Sequence, residues 1–396
     1  MIVAGIICEY NPFHLGHLRH IEETRRIIGE NCAIVCVMSG NFVQRGDFAV
    51  FSKHSRAETA VKSGADLVIE LPAPYVLSSA EGFASAGVYL LDKLGICDYI
   101  SFGSEAGDIE ALKIAAAGIS TPDAEALTKE WLAKGLSYAA ARQKAADSTL
   151  GSYAMLFETP NNLLGIEYLK AITSLNSALT PITVKRIGDA HDSEYGQSGS
   201  ALRKTLLIGG APWSDMPMSA ADVYKKEIET GRGPISINSA ELAILSRLRA
   251  ADDDVFCKLS GASEGLEHRF IKHAAVAPTV SAMLNGIKTK RYAMSRLRRM
   301  MLCACLGIAA ADVTAPPPYI RVLAMNGVGM TLLKYAKNSD VPIITKPAAA
   351  QSLPPRAAKM FRLESAATDF YALAYPNENM RFGGQEWLIS PCIVKD

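Results

Sequence analysis

The sequence predicts an α/β fold: a Rossmann-like, doubly wound parallel sheet followed by a mainly helical C-terminal domain. Three observations predict it. Short, continuous apolar runs alternate with helical stretches through the first two hundred residues, the pattern of strands covered on both faces. The first run ends directly in a His-x-Gly-His sequence at the start of a helix. After about residue 210 strand signals become scarce and helical periodicity dominates.

The elements follow in order. Ile2 to Ile7 reads as a buried strand, and Leu18 to Ile28 as a helix stopped by Gly29. Cys32 to Met38 is a second strand, Ser55 to Ser63 a helix, and Leu67 to Leu71 a third strand. Ala80 to Leu94 is helical with Gly95 as its stop, and Tyr99 to Phe102 is a fourth strand. Residues 108 to 150 are Ala-rich and form a helical insertion. A helix begins at Pro160, a fifth strand spans Ile182 to Ile187, and Ser198 or Ser200 caps a helix from about Ala201. Further on, Ser239 to Ala251 and Tyr292 to Leu306 are helical, with Gly231-Arg232-Gly233-Pro234 as a joint. The expected division is therefore a catalytic domain over 1–210 and a helical domain over 211–396. There is no internal repeat and no low-complexity tail.

Composition narrows the function. The chain has 396 residues, 49% apolar and 20% charged, with a net charge of +1. A polyanionic partner must therefore be met by local clusters rather than by overall charge. Eight cysteines lie mostly in apolar runs without a CxxC pair, as expected of reduced, buried thiols. Neither a basic leader nor a span-length apolar stretch is present, so a cytoplasmic protein without a membrane role is expected. No obligate protein partner is evident.

The chemistry concentrates in a few places. His14 and His17 flank Gly16 where a strand turns into a helix. Free amides at a helix start and its dipole favour phosphate there, and the glycine permits close approach. This resembles the phosphate site of HxGH nucleotidyltransferases, which implies attack on ATP at its α-phosphorus. A metal site is the rival reading, but no Cys or carboxylate falls at ligand spacing nearby. Ser39, Gly40, Gln44 and Arg45, with Lys53 and Arg56, offer donors and cations for a triphosphate or departing pyrophosphate. Arg186 ends a strand, and Ser198-x-Ser200-x-x-Arg203 opens a helix, forming a second phosphate cradle opposite the His pair. From Arg269 to Ala311 there is no Asp or Glu. Lys288, Lys290, Arg291, Arg296, Arg298 and Arg299 in that stretch, beside Tyr292, read as a polyanion footprint.

With these residues assembled, the chain resembles the bacterial tRNA(Met) cytidine acetate ligase family. The matching stretches are Glu9-Tyr10-Asn11-Pro12-Phe13-His14-x-Gly16-His17, Met38-Ser39-Gly40-Asn41-Phe42-x-Gln44-Arg45-Gly46, Asp66 to Pro72, Phe102 to Glu105, Pro160-Asn161-Asn162-x-Leu164-Gly165, Glu264 to Arg269, and Lys288 to Arg291. The resemblance implies formation of acetyladenylate from acetate and ATP, then acetylation of N4 of the wobble cytidine of elongator tRNA(Met). It implies an ATP site made of Ile7, Cys8, Glu9, Tyr10, Asn11, Pro12, Phe13, His14, Leu15, Gly16, His17, Leu18, Arg19 and His20, with Gly103, Arg186 and an asparagine, Asn162 being favoured over Asn161. His14 and His17 would be catalytic, steadying the phosphates. Residues 188 to 192, with His191 and Asp192, depart from the family pattern. Mg2+ is compatible with any reaction of ATP, but no carboxylate cage for it is visible. Two alternatives remain at this point: an adenylyltransferase acting on a small phosphorylated acceptor, and a non-catalytic RNA-binding protein.

Overall fold

A computed structural model describes residues 1–186, 198–262, 265–336 and 339–395. The N-terminal half runs β1 (Val3–Cys8), α1 (Leu15–Ile28), β2 (Ala33–Ser39), a short hairpin of β3 (Phe42–Val43) and β4 (Asp47–Phe48), α2 (Lys53–Lys62), β5 (Leu67–Leu71), α3 (Ala73–Val76), α4 (Ala80–Leu94) and β6 (Tyr99–Ser104). Then come α5 (Ile109–Ile119), α6 (Pro122–Ala133), α7 (Tyr138–Thr149), α8 (Pro160–Ser174), β7 (Thr180–Lys185), α9 (Gly199–Leu207) and α10 (Met218–Glu229). The C-terminal part contains α11 (Glu241–Ala250), α12 (Asp253–Cys257), α13 (Leu266–Val276), α14 (Val280–Ile287), α15 (Met294–Leu306), β8 (Ile320–Met325), α16 (Gly327–Tyr335), β9 (Ile343–Ile344), α17 (Pro355–Ala372), α18 (Gln385–Leu388) and β10 (Cys392–Ile393).

The sheet is ordered β10-β8-β5-β2-β1-β6-β7, with β9 beside β8. The five strands read from the sequence pair in parallel. Alternate β1 residues serve opposite cores: Val3 and Ile7 pack with α4 and α8, and Ala4 and Ile6 with α1, α2, α9 and α10. The approach of α4 is close enough to require glycine on both sides. A β-carbon at Gly5 would sit 2.5 Å from Leu91, and one at Gly87 would sit 2.6 Å from Ile7.

The sequence reading needs one main correction in the fold. Residues 320–393, expected to be mainly helical, return three strands to the sheet, and β8 pairs antiparallel with β5. All six residues of β8 are buried. The purely parallel sheet is thus extended by a mixed edge. Helices α11 to α15 with α17 build a separate apolar cluster, into which the hairpin inserts Phe42 and Phe48. This insertion ties the pocket side of the sheet to the helical part.

A buried ionic knot adds a second tie. The Lys53 Nζ lies 2.7 Å from Glu70 Oε1 and 2.7 Å from Glu386 Oε2, and Arg321 Nε lies 2.9 Å from Glu386 Oε1. All four residues are essentially excluded from solvent. Burial works against the charge of Lys53, but Glu386 and Glu70 keep the ammonium protonated. Burial likewise opposes ionisation of Glu386, yet Lys53 and Arg321 hold its carboxyl at about 2. Glu364 is pushed well up by burial and by Glu70, so it is the neutral member, and it accepts the Ala73 amide. Two cations then face two carboxylates, the balance a dry interior demands.

Candidate active site

The site lies beyond the carboxyl ends of β1, β6 and β7, where an open α/β sheet places its ligands. Helix α1 starts at Leu15, three residues earlier than the sequence suggested, so the His motif forms its first turn. His14 is the N-cap. Its Nδ1 accepts the Gly16 amide at 3.1 Å, and Nδ1 of His17 accepts the His14 amide at 3.3 Å. This reciprocal capping box has imidazoles where helices usually have hydroxyls and carboxylates. It also fixes the tautomers: each neutral ring must carry its hydrogen on Nε2. The rings lie close, centroids 3.8 Å apart and tilted by 32°, with Tyr10 and Phe13 against His17.

Both rings are neutral at physiological pH. Burial, then Arg186 and Arg203, lower His14 to about 4. Burial and the neighbouring His14 lower His17 well below the ordinary histidine range. His20, whose Nε2 meets Ser101 Oγ at 3.0 Å, is lowered to about 4, chiefly by burial. The pocket is therefore a set of uncharged N–H donors beside two guanidiniums.

Opposite stands the start of α9. Ser198, not Ser200, is its cap, accepting the Ala201 amide at 3.4 Å. A β-carbon at Gly199 would lie 3.6 Å from His14 Nε2 and 3.5 Å from the Arg203 guanidinium. Arg203 donates to Asn11 O at 2.6 Å and to Ser200 Oγ at 3.0 Å, closing the two helix ends together. Arg186 is exposed and lies across Gly103. The third helix start, that of α8, is held by Glu105, which accepts from Asn161 Nδ2 at 2.6 Å and from the Asn162 amide at 2.9 Å. Asn162 Oδ1 accepts the Ala106 amide at 3.1 Å, so both asparagines shape the rim after Gly103.

The remaining members of the expected ATP segment have different placements. Ile7, Tyr10, Asn11, Pro12 and Phe13 are buried. Asn11 Oδ1 accepts the Val50 amide, and the Phe13 amide donates to Tyr224 Oη. Cys8, Glu9, Leu15, Leu18 and Arg19 are half-buried.

Several expected phosphate contacts are corrected. Lys53 belongs to the buried knot. Arg56 is fully buried and donates to the carbonyls of Phe51, Glu9, Ser39 and Gly40. Neither faces water. Ser39 and Gly40 are buried behind the pocket, where a β-carbon at Gly40 would meet Glu70 Oε1 at 2.7 Å. Gln44 is half-buried and Arg45 is exposed at the hairpin turn. Among the cysteines, Cys257 is exposed rather than buried. His191 and Asp192, and Glu264 of one matching stretch, lie outside the described residues.

The cationic stretch is partly structural. Lys288 Nζ reaches the carbonyls of Thr289 and Tyr292, and Arg296 donates to Gly261 O at 2.8 Å while covering the Tyr292 ring. Arg299 donates to Gln44 O at 3.2 Å, linking α15 to the hairpin. Lys288 and Lys290 are exposed, and Arg291, Arg296, Arg298 and Arg299 are half-buried.

Comparison with known proteins agrees with this geometry. Residues 1–386 match the HIGH Nucleotidyl Transferase family. A tRNA(Met) cytidine acetate ligase of Acetivibrio thermocellus is 37% identical over 98% of both chains. That of Caldanaerobacter subterraneus is 39% identical over 95% of this chain and 96% of its own. The chain belongs to the tRNA(Met) cytidine acetate ligase family. Among solved structures, Thermotoga maritima TmcAL bound with alpha-thio ATP superposes with a TM-score of 0.93 at 31% identity, covering all of both chains. The apo form of the same protein matches equally.

Sequence reasoning missed what holds these groups in place: the Arg203 bridge to Asn11, Tyr224 beneath Phe13, and the bond from the Gln44 amide to Glu9 Oε1 at 2.6 Å. A carboxylate directly after the first strand was the available signal for the last.

Proposed function

We infer that this chain is an ATP-dependent ligase that activates acetate as acetyladenylate and acetylates N4 of the wobble cytidine of elongator tRNA(Met), releasing AMP and pyrophosphate. One observation carries the reading: the capped starts of α1 and α9 face each other, with His14 Nε2 beside Gly199 and Arg203 bridging them. Triphosphate seated there has donors on both sides of its α-phosphorus. An acetate oxygen attacks that phosphorus, and the bond to the β-phosphate oxygen breaks. The Nε2–H groups of His14 and His17, with Arg186 and Arg203, offset the developing charge without reorganising. Pyrophosphate leaves toward α9.

In the second step cytosine N4 attacks the acetyl carbon and AMP departs. No protein nucleophile is required. The anticodon base must leave its stack to reach the pocket, as single-stranded loops allow. The cationic loop after α14 (Lys288, Lys290, Arg291) and the arginines of α15 are assigned to the tRNA backbone. Among the described residues no group of three or more His, Cys, Asp or Glu side chains is gathered to cage a metal. Any Mg2+ would arrive with the triphosphate, and no step here runs through it.

The test is to incubate the protein with ATP, labelled acetate and bulk tRNA. Label in RNA with stoichiometric AMP is expected. AMP joined to a small acceptor, or tRNA binding without ATP turnover, would overturn the reading.

A further inference from the structure

Resting on that reading, the transfer step leaves one proton unassigned. The cytosine amine is a weak nucleophile, and its adduct with the acetyl carbon must lose an N4 hydrogen before AMP is expelled. The imidazoles are poorly placed to accept it, because their Nδ1 atoms are engaged by backbone amides and their Nε2 atoms carry hydrogen. Glu105 is committed to the start of α8 through both oxygens. Asp47 accepts the amides of Phe48 and Ile237, both on Oδ1, and lies in β4, outside the main sheet.

Glu9 is different. It follows β1 directly, at the carboxyl edge of the sheet. Its carbonyl is held by Arg56, and its Oε1 by the Gln44 amide at 2.6 Å. Among the described residues Oε2 receives no hydrogen bond, and the residue is only half-buried. Gln44 in turn gives its carbonyl to Arg299 of α15. The carboxylate therefore stands between the nucleotide pocket and α15, whose arginines are assigned to the tRNA in the reading above.

We propose that Glu9 is the general base of acetyl transfer. As the N4–C bond forms, Oε2 takes the N4 proton. The bond between the acetyl carbon and the phosphate oxygen breaks, and AMP leaves with that electron pair. The groups facing Glu9 are Arg56 from α2, Arg203 from α9, Arg45 from the hairpin, Tyr168 from α8 and the adjoining Cys8. Burial outweighs the three arginines and the Gln44 amide, raising the carboxyl above its ordinary value. The shift brings the base closer to neutrality, where proton transfer is more favourable.

The experiment loads wild type, Glu9→Gln and Glu9→Asp with acetyladenylate, mixes each with tRNA, and measures single-turnover transfer per bound adenylate from about pH 5 to about pH 9. Glutamine still accepts the Gln44 amide, so the loop keeps its anchor. Wild type should show a rate that rises with pH and levels off. Glu9→Gln should be on the order of a hundredfold or more slower, with that pH dependence gone. Glu9→Asp should recover part of the rate and keep a pH step. Transfer by Glu9→Gln within about threefold of wild type would overturn the assignment. So would a slower rate with an unchanged pH profile, which marks a positioning role. If wild type itself fails to transfer acetyl from the adenylate, it is the ligase reading that fails.

Discussion

His14 does two things with one ring. Nδ1 caps α1, and the tautomer this enforces turns Nε2–H toward Gly199 and the proposed phosphate site. The two roles separate by substitution. Asparagine is a good N-cap but has no Nε2–H, so His14→Asn should change unfolding free energy by no more than about 1 kcal/mol. It should lower acetate-dependent ATP–pyrophosphate exchange by roughly a hundredfold. Chemical denaturation and the exchange assay check the two halves. The histidines also set a pH dependence. His14 and His20 sit at about 4 and His54 at about 3, all chiefly through burial, against an ordinary 6.5. The unfolded chain therefore takes up these protons first. The stability they contribute is present above about 6.5 and is lost as pH falls from there toward about 4. The urea midpoint should accordingly be lower at pH 5 than at pH 7.5, and ATP, which favours protonated imidazoles, should restore part of the difference. The residue types of this pocket were legible in the sequence. Their tautomers were not, because these depend on which backbone amide each ring accepts.

At the level of elements, legibility followed locality. The bounds of β5 and α4 match the sequence reading, since a β-branched apolar core and a terminal glycine are local signals. Strand β8 escaped it. It stands alone among helical stretches, and its partners lie far away: β5 in the chain's first quarter and Glu386 near its end. Lys53 and Arg56 misled for the same reason. A cation beside a glycine-rich loop suggests phosphate until its buried partners are seen: the carboxylates of Glu70 and Glu386 for Lys53, and backbone carbonyls for Arg56. The knot gives a quantitative expectation. Lys53→Met leaves Glu70 and Glu386 facing each other in a dry interior and should destabilise the protein by roughly 3–5 kcal/mol in urea unfolding. Removal of an exposed partner, as in Lys113→Met beside Glu110, should cost no more than about 0.5 kcal/mol.

Across the whole molecule, the pocket and the cationic helices are coupled through the hairpin. Phe42 and Phe48 enter the helical core, and Arg299 grips Gln44 O, which follows Glu9 in one chain of contacts. Gly46 makes the junction possible: its φ is +74°, and a β-carbon there would lie 2.6 Å from the Arg299 amide nitrogen. RNA at the proposed cationic surface of residues 288–299 would thereby be held in register with the adenylate. Reversing charge at Lys288, Lys290 and Arg291 together should weaken tRNA binding at least about tenfold and flatten its salt dependence by roughly one unit of log–log slope per lost phosphate contact. Filter binding across a salt series checks this. The stretch without acidic residues was plain in the sequence. That several of its arginines also fasten backbone carbonyls could not be read there, because those carbonyls come from other helices and from the hairpin.

The account turns on where the nucleotide sits. A crystal structure with an ATP analogue blocked between the α- and β-phosphorus atoms tests this most directly. It should show the phosphates between the starts of α1 and α9, with Nε2 of His14 and His17 within hydrogen-bond distance of phosphate oxygens. An analogue bound at any other place, with the space between those helix ends free of phosphate, would contradict it.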